Sequence, residues 1–492
     1  MLFSSMIFLW IFLPCVLFGN FILTILPFSD ERKRLRAKNI LLLVSSLLFY
    51  AWGGIYYLLI MASCIVINYL GGQLITYRYK EKKERRRCLA AVIALNLTIL
   101  FVFKYFNMAV IIVENILDPG AGSLINMTGT GALGIKEIVL PIGISFFTFQ
   151  AMSYVIDVYR GDAPVQDNFL DFALYVAFFP QLIAGPIVRY KDIAAQISSR
   201  PERVKQKAEG IRRFCYGLGK KVLLANTFAA AADSIWGLNR PAAGAAAWLG
   251  AVCYTLQIYY DFSGYSDMAI GLGKMFGFDF KENFNYPYIS QSVTEFWRRW
   301  HISLGTFFRD YVYIPLGGNR VGVWKHIRNI LVVWFLTGFW HGASWNFIAW
   351  GVYYGLLLLA EKFLLQKIKQ KLPAAVNVLT TLLLVLVGWV LFYYVDLGQG
   401  LHHLKVMFGF GGAELTDPAV IYYFKHNLVF LVAAALASVP WKLWQEKLPK
   451  GTRRQLRDTA RWLKPAAVTV LFFLSVAMVV GQSYNPFLYF RF

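Results

Sequence analysis

The chain has 492 residues, of which 58% are hydrophobic and only 15% are charged, and its mean hydropathy is +0.51. A soluble domain usually carries about a quarter charged residues, so these values exclude an aqueous globule, and they also exclude a disordered or fibrous chain. The formal net charge is +22, from 49 basic and 27 acidic residues. Because the basic runs alternate with apolar stretches, they indicate a membrane protein and not a nucleic-acid-binding surface.

Long apolar stretches predict an all-α integral membrane protein of about ten to thirteen helices, including half-depth ones. A helix needs about 20 apolar residues to cross the hydrocarbon core. The first stretch has no basic segment before its apolar run, so we interpret it as a membrane helix and not as a cleavable signal. The predicted spans are 1–28, 40–57, 58–76, 88–117, 138–156, 214–236, 244–260, 374–395, 418–439 and 465–482.

The distribution of Lys and Arg predicts the orientation, since cytoplasmic loops carry an excess of both. With the basic runs inside, the N- and C-termini are predicted to be extracytoplasmic, and 118–137 and 396–417 become external loops. The runs assigned to the cytoplasm are Glu31–Lys38, Arg78–Arg87, Arg189–Arg213, Lys362–Lys371 and Lys442–Lys464.

Three stretches do not fit a simple series of crossings. Full crossings at 169–187 and 262–278 would place basic loops outside, and both stretches contain helix-breaking Pro or Gly residues. We predict half-depth or re-entrant elements there, although one basic loop that violates the charge rule is the alternative. In the third stretch, 329–346, a helix from Asn329 to Trp340 covers only about 18 Å, which places His341 near mid-membrane.

Two histidines are the main candidates for catalysis. His301 and His341 lie in Trp-rich segments at predicted membrane depth, where an ionisable side chain is expensive and is usually functional. A neutral imidazole is a general base near physiological pH. The alternative is that each only ties helices together by hydrogen bonds. No HExxH occurs and no carboxylate stands at ligand spacing from either residue, so no metal site is predicted.

Two groups of polar residues are the candidates for binding. Segment 257–268 is unusually polar for its apolar surroundings, so it lines an aqueous cavity or forms a buried hydrogen-bond network. Basic residues around the central segment either bind the phosphates of a cytosolic acyl donor or extend to lipid headgroups. The polar group is Gln257, Asp261, Ser263, Tyr265, Ser266 and Asp267, and the basic group is Lys281, Arg298, Arg299, Arg309 and Arg320.

Four central motifs resemble the membrane-bound O-acyltransferase family, in particular the bacterial branch that O-acetylates alginate, peptidoglycan and other exported polysaccharides. The resemblance covers nearly the whole chain. The motifs are Tyr260-Asp-Phe-Ser-Gly-Tyr-Ser-Asp267, Glu295-Phe-Trp-Arg-Arg-Trp-His-Ile-Ser-Leu304, Arg309-Asp-Tyr-Val-Tyr-Ile-Pro-Leu-Gly-Gly-Asn319 and Gly338-Phe-Trp-His-Gly342.

The resemblance implies one polytopic domain over 1–492, with a catalytic core at about 138–365 and helices around a central channel. It implies that His341 is the catalytic histidine and that His301 occupies the family's second conserved polar position. It also implies a thin central partition, acetyl-CoA as the acyl donor at a cytosolic site, and an extracytoplasmic partner of the serine-hydrolase type. Trp340 joins the arginines and the 261–267 residues as a substrate- or donor-binding candidate.

The C-terminal segment 484–492 resembles a motif that offers a tyrosine as an acyl relay in the related D-alanylation system. Here that residue is Tyr489, and an aromatic membrane anchor is the alternative. Two other functions stay open on the sequence. One is a polysaccharide or lipid transporter or scaffold without acyl chemistry, because broken helices with midplane polar groups also occur in transporters. The other is an O-acyltransferase with a different acceptor or with a D-alanyl carrier protein as donor.

Overall fold

A computed structural model describes residues 1–117, 125–126, 135–237, 243–410, 414–481 and 486. Two-residue strands β1 (Ile125–Asn126) and β2 (Ile135–Lys136) pair in parallel, with Ile125 opposite Ile135, and the rest of the described regular structure is helical. The α-helices are α1 (Leu13–Ile25), α2 (Glu31–Ala51), α3 (Ile55–Gln73), α4 (Lys82–Leu117), α5 (Ile144–Arg160), α6 (Phe169–Ala177), α7 (Phe179–Leu182), α8 (Tyr190–Ser198), α9 (Val204–Gly219), α10 (Asn226–Trp236), α11 (Gly244–Met275), α12 (Val293–Arg299), α13 (Ile302–Phe308), α14 (Val323–His341), α15 (Trp345–Ala360), α16 (Gln366–Lys369), α17 (Ala374–Tyr393), α18 (Leu397–Met407), α19 (Pro418–Ala437), α20 (Trp441–Glu446) and α21 (Lys450–Gly481).

Short helical segments of other pitch extend several of these helices. A 3₁₀ turn covers Pro287–Ile289, and π-helical segments cover Phe8–Phe12, Leu74–Arg78, Lys220–Ala225, Arg309–Tyr313 and Glu361–Leu365. The Lys220–Ala225 segment joins α9 to α10 without a break, so the chain is helical from Val204 to Trp236.

Within the described ranges, seven helical stretches are long and apolar enough to cross a membrane. This confirms the predicted all-α integral membrane fold. Their large exposed side chains, such as Leu59, Val429 and Val470, face outward because lipid is as apolar as they are. The seven stretches are Phe8–Ile25, Ile55–Arg78, Lys82–Glu114, Trp345–Lys369, Ala374–Tyr393, Val420–Ala437 and Lys450–Gly481.

Several basic runs meet at one end of the helices, which we call the basic face. Lys38 Nζ at the start of α2 lies 3.0 Å from a Glu202 carboxylate oxygen in the loop before α9. The Arg189 guanidinium lies 2.6 Å from Asp310. These ion pairs place the 31–38 and 189–213 runs together with the segment that follows His301, as expected if they lie on one side of the bilayer.

Helix α11 corrects one prediction. The 262–278 stretch is not a separate half-depth element, because α11 runs unbroken for 32 residues from Gly244 to Met275. Its glycines are sites of close packing: a Cβ at Gly264 would lie 2.8 Å from the Gly217 carbonyl oxygen, and the reverse substitution would be as crowded. The glycines therefore let α9 and α11 pack backbone against backbone.

The other two irregular stretches do contain broken helices. Residues 169–187 form α6 and α7, which are separated at Phe178 and are too short to cross a membrane singly. The third stretch is longer than predicted, since α14 begins at Val323 and not at Asn329. Its 19 residues span about 28 Å, so the expectation of an 18 Å half-helix was wrong. The break after His341 is present as predicted.

Candidate active site

His341 is the last residue of α14, and its imidazole is surrounded by aromatic rings. The ring centroids of Trp340, Trp350 and Phe392 lie 5.0, 5.0 and 5.3 Å away, and all three contacts are edge-on. The next residue must be small, because a Cβ at Gly342 would lie 2.2 Å from the Phe347 ring. The Trp-His-Gly sequence therefore ends the helix and fixes the imidazole in an apolar setting.

His301 lies in the short connection between α12 and α13, with a left-handed backbone (φ 46°). A non-glycine residue in this conformation costs about 1–3 kcal/mol, and such strain is common at functional sites. The side chain is only 2% exposed. The connection is held by the Asn283 carbonyl, which accepts a hydrogen bond from the Ile302 N–H at 3.0 Å.

The Asn283 side chain determines which imidazole nitrogen of His301 carries the proton. The Ser303 backbone N–H can only donate, and it lies 3.1 Å from Asn283 Oδ1, which identifies that atom as the amide oxygen. His301 Nδ1 lies 3.3 Å from the same oxygen and must therefore donate to it. In the neutral ring this leaves Nε2 as the acceptor, and Nε2 is buried with no hydrogen-bond partner in the described structure.

Trp340 and Phe146 pack against each other beside the two histidines and form what we call the indole wall. The Trp340 ring centroid lies 6.0 Å from that of His301 and 5.0 Å from that of His341. Phe146 packs edge-on against Trp340 at 5.5 Å, and its ring lies 6.5 Å from His301. The two imidazoles therefore contact the same indole.

Each histidine lines a cavity of its own. The arginine cavity, of about 550 Å³, contains His301 and lies next to the Arg309–Tyr313 segment of the basic face. The lysine cavity, of about 230 Å³, contains His341 and Lys104. Lys104 lies about 33 Å along α4 from its start at Lys82, so this cavity lies well away from the basic first turns of that helix.

The residues that line the two cavities are entirely different. Those of the arginine cavity are Thr294, Trp297, Arg298, Trp300, His301, Ile302, Leu304, Gly305, Thr306, Phe308, Arg309, Tyr313, Val333, Trp334, Thr337 and Leu358. Those of the lysine cavity are Lys104, Leu140, Pro141, Ile142, Gly143, Ile144, Ser145, Phe146, Ile183, Trp340 and His341.

Of the five basic candidates, Arg298 and Arg309 line the arginine cavity. Arg299 instead pairs with Glu295 at 2.8 Å, and Lys281 pairs with Asp192. Arg320 is exposed and lines neither cavity. Of the five basic residues predicted to bind the donor, only Arg298 and Arg309 therefore line the cavity that contains His301.

The polar segment of α11 mostly faces α9 and not the histidines. Asp261 pairs with Lys221 at 2.7 Å, and the two side chains are only 3% and 2% exposed. Asp267 pairs with Arg213 at 2.6 Å and with Lys220 at 2.7 Å. These carboxylates stabilise the α9–α11 interface, as in the buried-network alternative.

Of the remaining α11 candidates, two are packed in the core, one lines another cavity and one is connected to His301 through a hydrogen bond from Asn283. Tyr265 stacks on Phe3 with ring centroids 4.5 Å apart, and Gln257 is buried. Ser263 lines a third cavity, of about 870 Å³, which we call the lateral cavity. Ser266 alone connects to the histidines, since its Oγ accepts a hydrogen bond from Asn283 at 3.2 Å.

Tyr489 lies outside the described residues. Pro486, three residues earlier in the chain, is described, and its carbonyl accepts a hydrogen bond from the buried Lys221. The chain is therefore held at Pro486 against the α9–α11 interface.

Sequence analysis missed four residues that complete the site. Asn283 and Ser303 hold His301, whereas Lys104 and Tyr105 contact the end of α14. Lys104 had a signal that could have revealed it, because it is a single cation within the apolar stretch from Cys88 to Leu117. Within the described residues, no group of three His, Cys, Asp or Glu side chains is placed to hold a metal ion.

Comparison with known proteins decides the family. Residues 163–395 match the membrane-bound O-acyltransferase family profile. The probable alginate O-acetylase AlgI of Pseudomonas putida is 41% identical over 504 residues, which cover 100% of both chains. The chain belongs to the membrane-bound O-acyltransferase family.

Other acyltransferases are similar at lower identity. The peptidoglycan O-acetyltransferase of Helicobacter pylori is 30% identical over 100% of this chain and 98% of its own. The teichoic acid D-alanyltransferase of Bacillus subtilis is 28% identical over 53% of this chain and 70% of its own. This protein is thus a membrane O-acyltransferase, which contradicts the transporter or scaffold alternative.

Proposed function

We propose that this O-acyltransferase takes acetyl from cytosolic acetyl-CoA and passes it across the membrane for O-acetylation of an exported or cell-wall polysaccharide. The main structural support for this proposal is that His301 and His341 line separate cavities and contact the same indole, Trp340. A donor can then bind from one side while an acceptor approaches from the other. The relatives named for alginate and peptidoglycan acetylation support the polysaccharide class of acceptor.

The arginine cavity is the proposed donor site. Arg298 and Arg309 supply charge-assisted hydrogen bonds for the phosphates of coenzyme A. Their cavity adjoins the basic face, which we propose to be cytoplasmic, with both termini outside. His301 Nε2, the acceptor of the neutral ring, then accepts a hydrogen bond from an amide N–H of the pantetheine arm and so orients the thioester, since Nδ1 is already engaged by Asn283.

In the proposed chemistry His341 is the general base. An acceptor hydroxyl oxygen attacks the thioester carbonyl carbon, its proton passes to the neutral imidazole of His341, and the carbonyl electron pair moves onto oxygen. The tetrahedral intermediate collapses as the C–S bond breaks, and the thiolate takes the proton from the imidazolium. As a net result, one acyl group is transferred to the acceptor oxygen, one thiol is released, and His341 returns to its neutral form.

The acyl group then reaches a polysaccharide through an extracytoplasmic, serine-hydrolase-like partner. Tyr489 is the proposed relay hydroxyl, and the hydrogen bond from Lys221 to the Pro486 carbonyl supports a tail held against the protein. Tyr489→Phe should abolish label on the C-terminal peptide in mass spectrometry of trapped enzyme. Full activity in this variant would reduce the tail to a membrane anchor.

The test uses purified protein with radiolabelled acetyl-CoA, with and without the partner, together with acetylation of the exported polymer in cells. His341→Ala and His301→Ala should each abolish transfer, whereas the exposed His402→Ala control should retain it. Undiminished transfer in both site variants would overturn the mechanism. Transfer from a D-alanyl carrier protein but not from acetyl-CoA would overturn the donor, and acetylated lipid or protein would overturn the acceptor class.

A further inference from the structure

Lys104 is the one cation in the apolar part of α4, from Cys88 to Leu117. Its ammonium donates hydrogen bonds to the Trp340 carbonyl, to the His341 carbonyl at 3.2 Å and to Ser145 Oγ at 3.4 Å. It also lies over the Trp340 ring, 5.6 Å from the centroid. Among the described residues it has no carboxylate partner. Its ammonium therefore interacts with the backbone carbonyls at the end of α14 and does not form an ion pair.

The end of α14 needs such donors. The last four carbonyls of a helix have no partner inside the helix, and an unsatisfied carbonyl at membrane depth costs several kcal/mol. Here the chain leaves the helix through an extended Gly342 (φ −171°), so no left-handed cap forms. Tyr105 supplies a further donor, since its hydroxyl bonds the Phe339 carbonyl while its ring stacks on Phe339 at 4.0 Å.

Adjacent residues of α4 thus satisfy three successive carbonyls, those of Phe339, Trp340 and His341. A cation at a helix C-terminus also interacts favourably with the negative end of the helix dipole. The two backbone units that Lys104 binds carry the indole wall and the proposed base. Ser145 extends the link to α5, whose next residue, Phe146, is the other part of the wall.

We propose that Lys104 is a positioning residue, which fixes the backbone of Trp340 and His341 and so places the His341 imidazole against the reacting acyl group. This inference rests on the proposed role of His341. Lys104 does not touch the donor cavity, whose lining is separate. Its loss therefore lowers kcat and leaves the donor KM unchanged, because a misplacement of about 1 Å can reduce rates by about 100-fold.

The experiment compares Lys104→Met with Lys104→Arg, and with Lys83→Met as an exposed control on the same helix. Lys104→Met should lose at least about tenfold in kcat with donor KM within about twofold. Lys104→Arg, which keeps charge and N–H donors, should stay within about threefold of the wild type. A raised KM with unchanged kcat, or a Met variant as active as the Arg variant, would overturn the inference.

Chemical rescue separates positioning from a folding defect. In purified Lys104→Ala, added methylammonium should restore kcat, whereas tetramethylammonium, which has no N–H donor, should not. Equal rescue by both cations, or no rescue of protein that elutes as the wild type does, contradicts the proposal. His341→Ala is assayed in parallel: if it is fully active, the proposed function fails, and if only the Lys104 variants are fully active, this inference alone fails.

Discussion

Asn283 Oδ1 lies 3.3 Å from His301 Nδ1 and accepts a hydrogen bond from it. The same oxygen accepts hydrogen bonds from the backbone N–H and hydroxyl of Ser303, at 3.1 and 2.9 Å. The Ser303 hydroxyl in turn accepts from the Ile187 N–H at 3.0 Å. Through these hydrogen bonds, the orientation of His301 is coupled to the loop that contains Asn283 and to the loop that contains Ile187.

Replacing this amide should impair catalysis. We expect Asn283→Ala to lower kcat by about 10- to 100-fold, because a correctly placed acid–base group contributes about 100-fold or more. Asn283→Asp, which keeps an accepting oxygen, should retain more activity than Asn283→Ala. The exposed Asn285→Ala is the matched control. Label transfer by purified enzyme measures the effect, and equal rates for the Ala variant and the wild type would contradict it.

The two arginines of the donor cavity should affect binding more than turnover. Arg298→Gln and Arg309→Gln each remove a cation from the arginine cavity. We expect donor KM to rise by about tenfold in each, since hydrogen bonds to charged groups contribute about 1.5–3 kcal/mol. Arg86→Gln, at an exposed arginine of the basic face, should leave KM unchanged. An unchanged KM in both cavity variants would remove them from the donor site.

Lys221 and Asp261 form a buried ion pair. Removing one of the two charges should destabilise the protein more than removing both. Lys221→Met removes the cation that pairs with buried Asp261 and should lower the free energy of unfolding by about 3–5 kcal/mol. The double variant with Asp261→Leu should recover most of that loss. Arg454→Met breaks an exposed pair with Asp458 at 3.9 Å and should have an effect below about 1 kcal/mol. Thermal unfolding in detergent provides the comparison, and a double variant no more stable than Lys221→Met would argue against the pair.

Glu202 should make the basic face sensitive to acid. Burial alone would raise its pKa, but hydrogen bonds and charges from Lys207 and Lys38 lower it below the usual 4.5. Because the folded pKa lies below the unfolded one, the stabilisation is complete above about pH 4.5 and is lost as the pH falls through the folded value. The Tm difference between wild type and Glu202→Gln should therefore shrink from pH 6 to about pH 3. A difference that stays constant over this range would show that the carboxylate charge is not involved.

The sequence allowed much of the fold and one half of the site to be predicted. Apolar stretches and basic runs follow directly from the bilayer as solvent. Six of the ten predicted spans lie on described helices that are long and apolar enough to cross, whereas 40–57, 138–156, 214–236 and 244–260 do not, and Trp345–Lys369 was not predicted as a span. His341 could be identified because a Trp-His-Gly break in an apolar stretch is a local signal. His301 was identifiable from its Trp- and Arg-rich neighbours in the same way.

The rest depended on contacts between distant segments. The local sequence around Gly264 and Gly271 is the same whether these glycines break a helix or allow two helices to pack closely. Only the position of α9, whose backbone approaches both glycines, shows that they allow close packing. Asn283 has an ordinary loop sequence, and its role arises from a connection that brings it to His301. The pairing of Asp261 and Asp267 with α9 basic residues was likewise invisible to local patterns.

Trp340 contacts both histidines, and the two cavities that they line share no residue. A continuous watery path would let ions run down the membrane potential, which is worth about 2.3 kcal/mol per charge at 100 mV. In the function proposed above, an acetyl group passes from one cavity to the other without such a path. That transfer would leave the membrane potential intact, because Trp340 and Phe146 are packed edge-on against each other and conduct no ions.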